Sequence, residues 1–251
     1  MENNVFTVLN PDSEFELILT AEHANAQIPE EYNNLGLNKA KLDTHIARDK
    51  GAKRITEMLA QKLNCFAIMG NYSRLLIDLN RKENEAELIV STSDKVVVPQ
   101  NQNISEEEKK FRVKKYYQPY YQALEEKIMQ LQKNGKTPII FSVHSYTPQL
   151  QDGAYRPWHA GILYNQKTNL ADFLFKELSQ TDKTIGENVP YDLRKYNTGT
   201  VIICGQDKGL DYALIEIRDD EFDNLEQGAQ FWTDALEKAL LKYFNKKTLK
   251  E

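Results

Sequence analysis

The sequence has 251 residues, of which 41% are hydrophobic and 27% are charged, and these values are ordinary for a globular protein. The formal net charge is −5, and acidic and basic residues are interspersed along the chain. This pattern argues against nucleic acid as a partner, because no basic face stands out.

The cysteines and the N-terminal residues indicate a cellular compartment. Cys65 and Cys204 lie far apart within apolar segments, which favours a reducing environment and no disulfide framework. The N-terminus lacks a positive flank followed by an apolar stretch, so no signal peptide is predicted. No apolar run approaches the roughly 18 residues of a membrane-spanning helix. We therefore expect a cytoplasmic protein with no membrane partner.

The first half of the chain alternates apolar runs with amphipathic segments. Strands are predicted at residues 16–20, 65–70 and 74–81, and helices at residues 43–63 and 105–135. Asp43 or Thr44 is the expected N-cap of the first helix. Ser105 and Glu108 form the capping pattern of the second helix, and Pro119 should kink or divide it.

The second half of the chain continues this alternation. Strands are predicted at residues 137–146, 159–165, 199–206 and 212–220, and helices at residues 168–180 and 226–246. The alternation predicts an α/β fold with a mixed, largely parallel central sheet and helices on both faces. No internal repeat or low-complexity linker interrupts it, so we expect residues 1–251 to form a single domain.

Polar side chains follow or end four of the predicted strands. In an open α/β sheet, ligands bind outside the carboxyl ends of the strands. These ends carry Glu22 with His23, Asn80 with Arg81, His144, and Glu216 with Arg218. If the strands are parallel neighbours, these side chains converge on one edge of the sheet.

The residue types at these strand ends suit metal-dependent hydrolysis. Two imidazoles and one carboxylate form a zinc site with a coordination position left open for water. A further carboxylate can act as general base toward water whose pKa the metal lowers to about 7. A guanidinium binds a substrate carboxylate through two parallel hydrogen bonds. Together these groups predict hydrolysis of an amide that releases an amino acid, although each residue taken alone also fits an ordinary surface or salt-bridge role.

Six motifs also carry a family resemblance that extends from about residue 17 to about residue 220. They resemble, in the same order, motifs of the N-formylglutamate amidohydrolase family: "LTAEHANAQIPEEY", "DTHIARDKGA", "YSRLLIDLNR", "VHSYTP", "RPWHAGILYN" and "IEIRDD". That family is related in fold to zinc carboxypeptidases and to the aspartoacylase group. Its type activity hydrolyses N-formyl-L-glutamate to formate and L-glutamate, which is a step of histidine degradation.

The resemblance implies a role for each matched position. His23 would be the first metal ligand and His144 the last, with zinc or another divalent ion between them. Glu216 would be the general base of the carboxypeptidase-like fold.

The resemblance also implies how the substrate is bound. Arg81, with Asn80 and Arg74, would bind the carboxylate of the substrate. Arg156 and His159 belong to a motif that would help to close the pocket. The polar segment 186–202, which carries Arg194, would cover the substrate.

The second metal ligand is where the sequence departs from the carboxypeptidase pattern His-x-x-Glu, because Ala26 stands three positions after His23. We assign Asp49, since "DTHIARD" would place it on the first turns of a helix. A helix-capping role fits Asp49 equally well. Glu22 is the rival, but adjacent residues of an extended segment point to opposite sides. His45 could contribute, because a residue four positions before Asp49 shares its helix face.

The sequence therefore predicts a zinc-dependent amidohydrolase whose small-molecule substrate is an N-acyl, specifically an N-formyl, acidic amino acid. One alternative is a carboxypeptidase-like metallohydrolase with another substrate, either an N-acyl amino-acid deacylase or a peptidase. A second alternative is a non-catalytic homologue that binds a small molecule, which the missing His-x-x-Glu pattern leaves open. The oligomeric state is not predicted.

Overall fold

The computed structural model describes residues 4–248 of the chain. Its strands, in chain order, are β1 (Phe6–Leu9), β2 (Leu17–Ala21), β3 (Phe66–Gly70), β4 (Thr92–Ser93), β5 (Val96–Val97), β6 (Ile139–Tyr146), β7 (Ala160–Leu163), β8 (Ile185–Glu187) and β9 (Asp211–Arg218). Its α-helices are α1 (Lys39–Leu42), α2 (Ala52–Leu63), α3 (Glu106–Arg112), α4 (Gln118–Lys133), α5 (Asn169–Leu178), α6 (Leu193–Tyr196) and α7 (Leu225–Thr248). Across this range, the helices lack the combination of length and apolar character that a membrane-spanning segment needs.

The central sheet of this range contains seven strands in the order β1-β3-β2-β6-β9-β7-β8. The pairs β2–β3, β2–β6, β6–β9 and β7–β8 are parallel, whereas β1–β3 and β7–β9 are antiparallel. The two central strands β6 and β9 pair along their whole length, from Ile139 opposite Asp211 to Tyr146 opposite Arg218. The predicted fold class, a mixed and largely parallel sheet with helices on both faces, is confirmed.

The helices bury the apolar positions that recur at three- and four-residue intervals. In α2 these positions are Ile55, Leu59 and Leu63, and in α4 they include Leu124 and Ile128. The α2 helix packs on β2, β3 and β6, and α7 packs beside both α2 and α5. Burial of each such side chain stabilises the fold by about 1.5–3 kcal/mol.

The predicted strand at residues 74–81 is wrong, because this segment forms two consecutive turns. The Ser73 hydroxyl oxygen accepts a hydrogen bond from the Leu75 N–H at 3.2 Å. Asp78 Oδ1 accepts one from the Asn80 N–H at 2.8 Å. Serine and aspartate side chains offer the backbone local partners that compete with strand pairing, and here these contacts replace it.

The predicted helix at residues 43–63 is wrong in its first nine residues, because α2 begins only at Ala52. Asp43 instead follows the last residue of the short helix α1. Gly51 has a φ of +83°, and a Cβ at this position would lie 2.6 Å from the ring of Phe222. Since only glycine fits this left-handed and crowded position, the chain turns here before the helix starts.

Four further segments differ from or refine the sequence prediction. Residues 199–206 are not a strand, because Val201–Gly205 forms a turn of π-helix that is largely buried. The helix predicted at residues 105–135 is divided, as expected, by a π-helical turn at Val113–Tyr117, just before Pro119. Its N-cap is confirmed, since the Ser105 side chain accepts a hydrogen bond from the Glu108 N–H at 3.1 Å. The strands β1 and β8, which form the two edges of the sheet, were not predicted.

Candidate metal centre and substrate cavity

Three buried side chains that are distant in sequence meet beside the central strands. The structure brings His23, Asp49 and His144 together so that one potential ligand atom of each lies within 4.8 Å of the others. Asp49 Oδ2 lies 2.8 Å from His144 Nδ1 and 3.5 Å from His23 Nδ1. The sequence analysis assigned these three residues as metal ligands, and their placement is compatible with a shared metal ion.

The sheet and one loop position the three side chains. His23 follows β2, and His144 lies near the carboxyl end of β6, the parallel neighbour of β2. The Asp49 N–H donates to the His23 carbonyl oxygen at 2.9 Å, which ties the loop before α2 to the segment after β2. Asp49 therefore reaches the site from this loop, whereas the sequence analysis placed it on a helix.

A second carboxylate stands behind each histidine. His23 Nε2 lies 2.6 Å from Asp78 Oδ1, and His144 Nε2 lies 2.7 Å from Glu22 Oε2. The contact with Asp78 directs the Nε2–H of His23 to a carboxylate, which leaves the Nδ1 lone pair of this ring facing the space beside Asp49, whereas His144 has a carboxylate near each of its two nitrogens. Metal-binding histidines are commonly oriented in this way. The structure thus places Glu22, the rival ligand of the sequence analysis, behind His144, and it reveals Asp78 as a residue that sequence reasoning missed.

The donor set fits a divalent cation. His23 Nδ1 is buried and has no hydrogen-bond partner among the residues that the structure describes. An unpartnered buried lone pair is unfavourable unless something occupies the space it faces. Two imidazole nitrogens and one carboxylate oxygen also form the ligand set of zinc hydrolases, with a fourth position open. These three residues could therefore hold a divalent metal ion.

The charges around the site favour a cation. Burial acts to raise the pKa of Glu22, but the hydrogen bond and charge of His144 outweigh it and lower this pKa to about 2. Burial acts to lower the pKa of His144, but hydrogen bonds to Asp49 and Glu22 raise it to about 10. Burial likewise opposes ionisation of Asp49, yet the charges of Arg74 and His23 hold its pKa well below the usual range. In the metal-free protein, buried carboxylates thus surround a protonated histidine.

Glu216 lies opposite His144 in the parallel register of β9 and β6. The residue is 7% exposed, and its Oε2 atom has no hydrogen-bond partner among residues 4–248. Burial raises its pKa to about 7, an effect that the Asp49 charge reinforces and the His144 charge opposes. A carboxyl group with this pKa can both accept and donate a proton near neutral pH.

A cavity of about 300 Å³ opens beside these residues. Its lining includes His23, His144, Glu216, Arg74, Asn80 and Arg81. Two candidate metal ligands, a buried carboxyl group and two guanidinium groups therefore share one cavity.

The family of the chain follows from its match over most of its length. The sequence model of the family described as FGase, N-formylglutamate amidohydrolase, matches residues 15–222. The chain belongs to this family. The family resemblance seen in the six sequence motifs is thereby confirmed, and membership of an amidohydrolase family supports an enzymatic role.

Two crystal structures share the fold of this family member. Gene product Atu2144 from Agrobacterium tumefaciens is 29% identical, with a TM-score of 0.89 over 96% of this chain and 97% of that chain. N-formylglutamate amidohydrolase from Ralstonia eutropha JMP134 is 18% identical, with a TM-score of 0.62 over 94% of this chain and 98% of that chain. The second likeness concerns the fold alone. No curated protein matches the chain.

The two arginines in the cavity of this N-formylglutamate amidohydrolase family member differ in their freedom to bind substrate. Arg74 forms a short ion pair with Asp49 Oδ1, which ties it to the candidate metal centre. Arg81 Nε lies 3.5 Å from Glu87, a side chain that is 67% exposed, so this pair is loose. Asn80 uses its Oδ1 atom to accept the Thr200 N–H at 3.0 Å. Arg81 is therefore the guanidinium best placed to bind an anionic ligand.

Two residues of the "RPWH" motif lie outside the cavity lining. The Arg156 guanidinium lies between the rings of Tyr146 and Tyr191, at 4.9 and 5.6 Å from their centroids. His159 Nδ1 accepts a hydrogen bond from the Thr184 N–H at 2.9 Å. Neither side chain lines the cavity itself, although Arg156 contacts Tyr191, which does, so a role of Arg156 and His159 at the substrate stays a prediction.

The segment 186–202 lines the cavity, but Arg194, the residue expected to do so, is not among its lining residues. Tyr191, Leu193, Tyr196 and Thr198 face the cavity from this segment. Arg194 instead forms an ion pair with Asp192 at 2.7 Å. His45 is likewise absent from the histidine–aspartate group, since its Nε2 lies 3.1 Å from Asp94 and the loop that carries it is not helical.

Proposed function

We propose that the protein is a metal-dependent amidohydrolase that cleaves the amide bond of an N-formylated acidic amino acid. The supporting observation is a single cavity lined by His23 and His144 of the His23–Asp49–His144 group, by Arg81 and by Glu216, whose Oε2 atom has no hydrogen-bond partner among residues 4–248. Family membership favours N-formyl-L-glutamate, which yields formate and L-glutamate.

The proposed metal is zinc, held by His23, Asp49 and His144. When bound, zinc supplies a Lewis acid for the acyl oxygen and lowers the pKa of water to about 7. Asp78 orients the His23 ring so that its Nδ1 would bind the metal, and Glu22 lies beside the His144 ring and would help to orient it.

Glu216 is the proposed proton carrier. As water attacks the formyl carbon, a C–O bond forms and Glu216 accepts the proton that the water loses. When the C–N bond breaks, Glu216 returns this proton to the amide nitrogen, which leaves as the amine of the amino acid. A pKa near 7 suits both transfers, since the group must be ionised first and protonated afterwards.

Arg81 is the proposed recognition residue for the substrate carboxylate. Its planar guanidinium can donate two parallel hydrogen bonds to a carboxylate, and its only ion-pair partner, among the residues described, is the exposed Glu87. A cavity of about 300 Å³ lies at the lower end of the range for ligand pockets, which favours an amino-acid-sized substrate over a long peptide.

The proposal is tested with purified protein that is stripped by a chelator and then reloaded with zinc. Product release is measured for N-formyl-L-glutamate, N-acetyl-L-aspartate and a short peptide. We expect turnover only after reloading, with the highest kcat/KM for N-formyl-L-glutamate. Preferred turnover of either other substrate would identify a different deacylase or a peptidase. No turnover together with no stoichiometric zinc would indicate a non-catalytic binding protein.

A further inference from the structure

Asp78 contacts two parts of the site that have different proposed roles. One of its oxygens, Oδ1, lies 2.6 Å from His23 Nε2 and also accepts the Asn80 N–H at 2.8 Å. Its main-chain oxygen accepts the Arg81 N–H at 3.2 Å. The side chain is buried, so water competes little for these contacts. A single residue thus joins a candidate metal ligand to the turn that presents Arg81.

The turn from Asp78 to Arg81 is held by further contacts that fix its backbone. Arg81 Nη1 donates to the Asn80 carbonyl oxygen at 3.0 Å. The Tyr117 hydroxyl donates to the Arg81 carbonyl oxygen at 2.8 Å. Asp78 closes the turn twice, through its side chain and through its carbonyl oxygen. A shift of the Asp78 carboxylate would therefore move Asn80 and, with it, the start of the Arg81 side chain.

Glu22, the carboxylate behind the other histidine, has no such second role. Besides His144, its oxygens accept hydrogen bonds from the Ser142 hydroxyl at 2.7 Å and the Tyr120 hydroxyl at 3.2 Å. Neither of these hydroxyl groups belongs to the cavity lining. Glu22 therefore supports a candidate metal ligand without contacting the anion-binding turn, and it provides a matched control for Asp78.

We propose that Asp78 is a positioning residue that couples occupation of the metal centre to binding of an acidic amino acid at Arg81, an inference that rests on the proposed function. When His23 Nδ1 ligates a cation, the Nε2–H of the same ring becomes a stronger donor and holds Asp78 Oδ1 more firmly. The fixed carboxylate then fixes the Asn80–Arg81 turn in its binding conformation. Because such coupling is reciprocal, the amino acid also tightens metal binding by the same factor.

The experiment compares the isosteric variants Asp78→Asn and Glu22→Gln with the wild-type protein. Zinc affinity is measured by competition with a chromophoric chelator, and L-glutamate affinity is measured by calorimetry with and without zinc. We expect both variants to bind zinc about 10–100-fold more weakly. Only Asp78→Asn should weaken L-glutamate binding to the metal-free protein, by about tenfold, because only this change weakens the turn.

The outcomes separate this inference from the proposed function. If both variants lose zinc affinity but keep the wild-type affinity for L-glutamate, Asp78 only orients His23 and the coupling is refuted, while the proposed function stands. If the wild-type protein binds no L-glutamate with or without zinc, the proposed substrate class fails and the coupling with it. Should Asp78→Asn not fold, Asp78→Glu keeps the charge but displaces the carboxylate, and the same loss of L-glutamate affinity is expected.

Discussion

Glu216 combines deep burial, an unpartnered oxygen and a position beside two histidines, and its replacement gives the most direct test at the scale of single residues. Glu216→Gln keeps the shape of the side chain but cannot take a proton from water. We expect kcat for N-formyl-L-glutamate to fall by about 10²–10⁴-fold, with KM and bound zinc unchanged. Formate release and metal analysis of the same preparation measure these quantities.

The control for this prediction is Glu226→Gln, which changes an exposed carboxylate on α7 that pairs with Arg54. Because surface ion pairs contribute little to stability, this variant should fold like the wild-type protein. It should therefore keep the wild-type kcat. A Glu216→Gln protein that retains zinc and full kcat would show that another group accepts the proton.

Arg81 tests substrate recognition at the same scale. Arg81→Lys keeps the charge but loses the planar fork, so we expect KM for N-formyl-L-glutamate to rise by about 10–100-fold with little change in kcat. Arg194→Lys is the matched control, since Arg194 pairs with Asp192 outside the cavity lining. An unchanged KM in Arg81→Lys would move the carboxylate-binding role to another residue, with Arg74 the next to test.

The sequence analysis identified several site residues because parallel strands place their carboxyl ends at one edge of a sheet. This argument located His23, His144 and Glu216, which the structure places around one cavity. It could not identify Asp78, because the contacts of this residue depend on a turn. The apolar residues around Asp78 led to the prediction of a strand at this position. It assigned Arg81 to the substrate carboxylate and Arg156 to a motif that closes the pocket, but it could not show the partners of either guanidinium.

At the scale of elements, periodicity predicted the segments in which burial decides the conformation. The central strands β6 and β9 and the helices α5 and α7 fall where the apolar patterns place them. The errors lie where side chains bond to the local backbone, as at Ser73 and Asp78, or where glycine allows a left-handed turn, as at Gly51. Residues 199–206 are apolar and largely buried, and an apolar run of this length does not distinguish a strand from a helical turn.

Replacement of Gly51 tests the turn before α2, which positions Asp49. Gly51→Ala places a methyl group 2.6 Å from the Phe222 ring at a residue with a φ of +83°. We expect a loss of about 2–4 kcal/mol in the free energy of unfolding, since backbone strain and overpacking each contribute about 1–3 kcal/mol. Zinc affinity should fall as well, because the turn before α2 positions Asp49. Urea denaturation and zinc titration measure the two effects.

Gly135→Ala provides the comparison for this prediction. Gly135 has a similar φ of +75°, but a Cβ there would meet nothing within 4 Å. This variant should lose only the backbone contribution, about 1 kcal/mol, and should bind zinc normally. Equal losses in the two variants would mean that the contact with Phe222 has no energetic consequence.

At the scale of the whole molecule, buried carboxylates make the stability of the metal-free protein depend on pH. The pKa of Glu22 is about 2 in the folded protein and 4.5 in the unfolded chain. Its stabilising contribution is therefore complete above pH 4.5 and is lost as the pH falls toward 2. The shift corresponds to at most about 3 kcal/mol. Denaturation curves between pH 6 and pH 2 should show this loss, and Glu22→Gln should make the decline shallower; an identical decline in both proteins would contradict it.

Glu216 should make the stability of the metal-free protein depend on pH in the opposite direction. Its pKa is about 7 in the folded protein and 4.5 in the unfolded chain, so the folded state favours the protonated carboxyl. The contribution of Glu216 is therefore complete below pH 4.5 and is lost as the pH rises to about 7, where folding must bury a charge.

Glu216→Gln removes this titration. We expect the metal-free variant to match the wild-type protein in stability near pH 4.5 and to exceed it by at most about 3 kcal/mol at pH 8. Thermal unfolding at the two pH values measures the difference. Such a gain would mean that the residue proposed to carry the proton destabilises the metal-free fold at working pH, as expected of a site arranged for chemistry rather than for stability. A variant that is no more stable than the wild-type protein at pH 8 would show that the Glu216 carboxylate is accommodated without this energetic penalty.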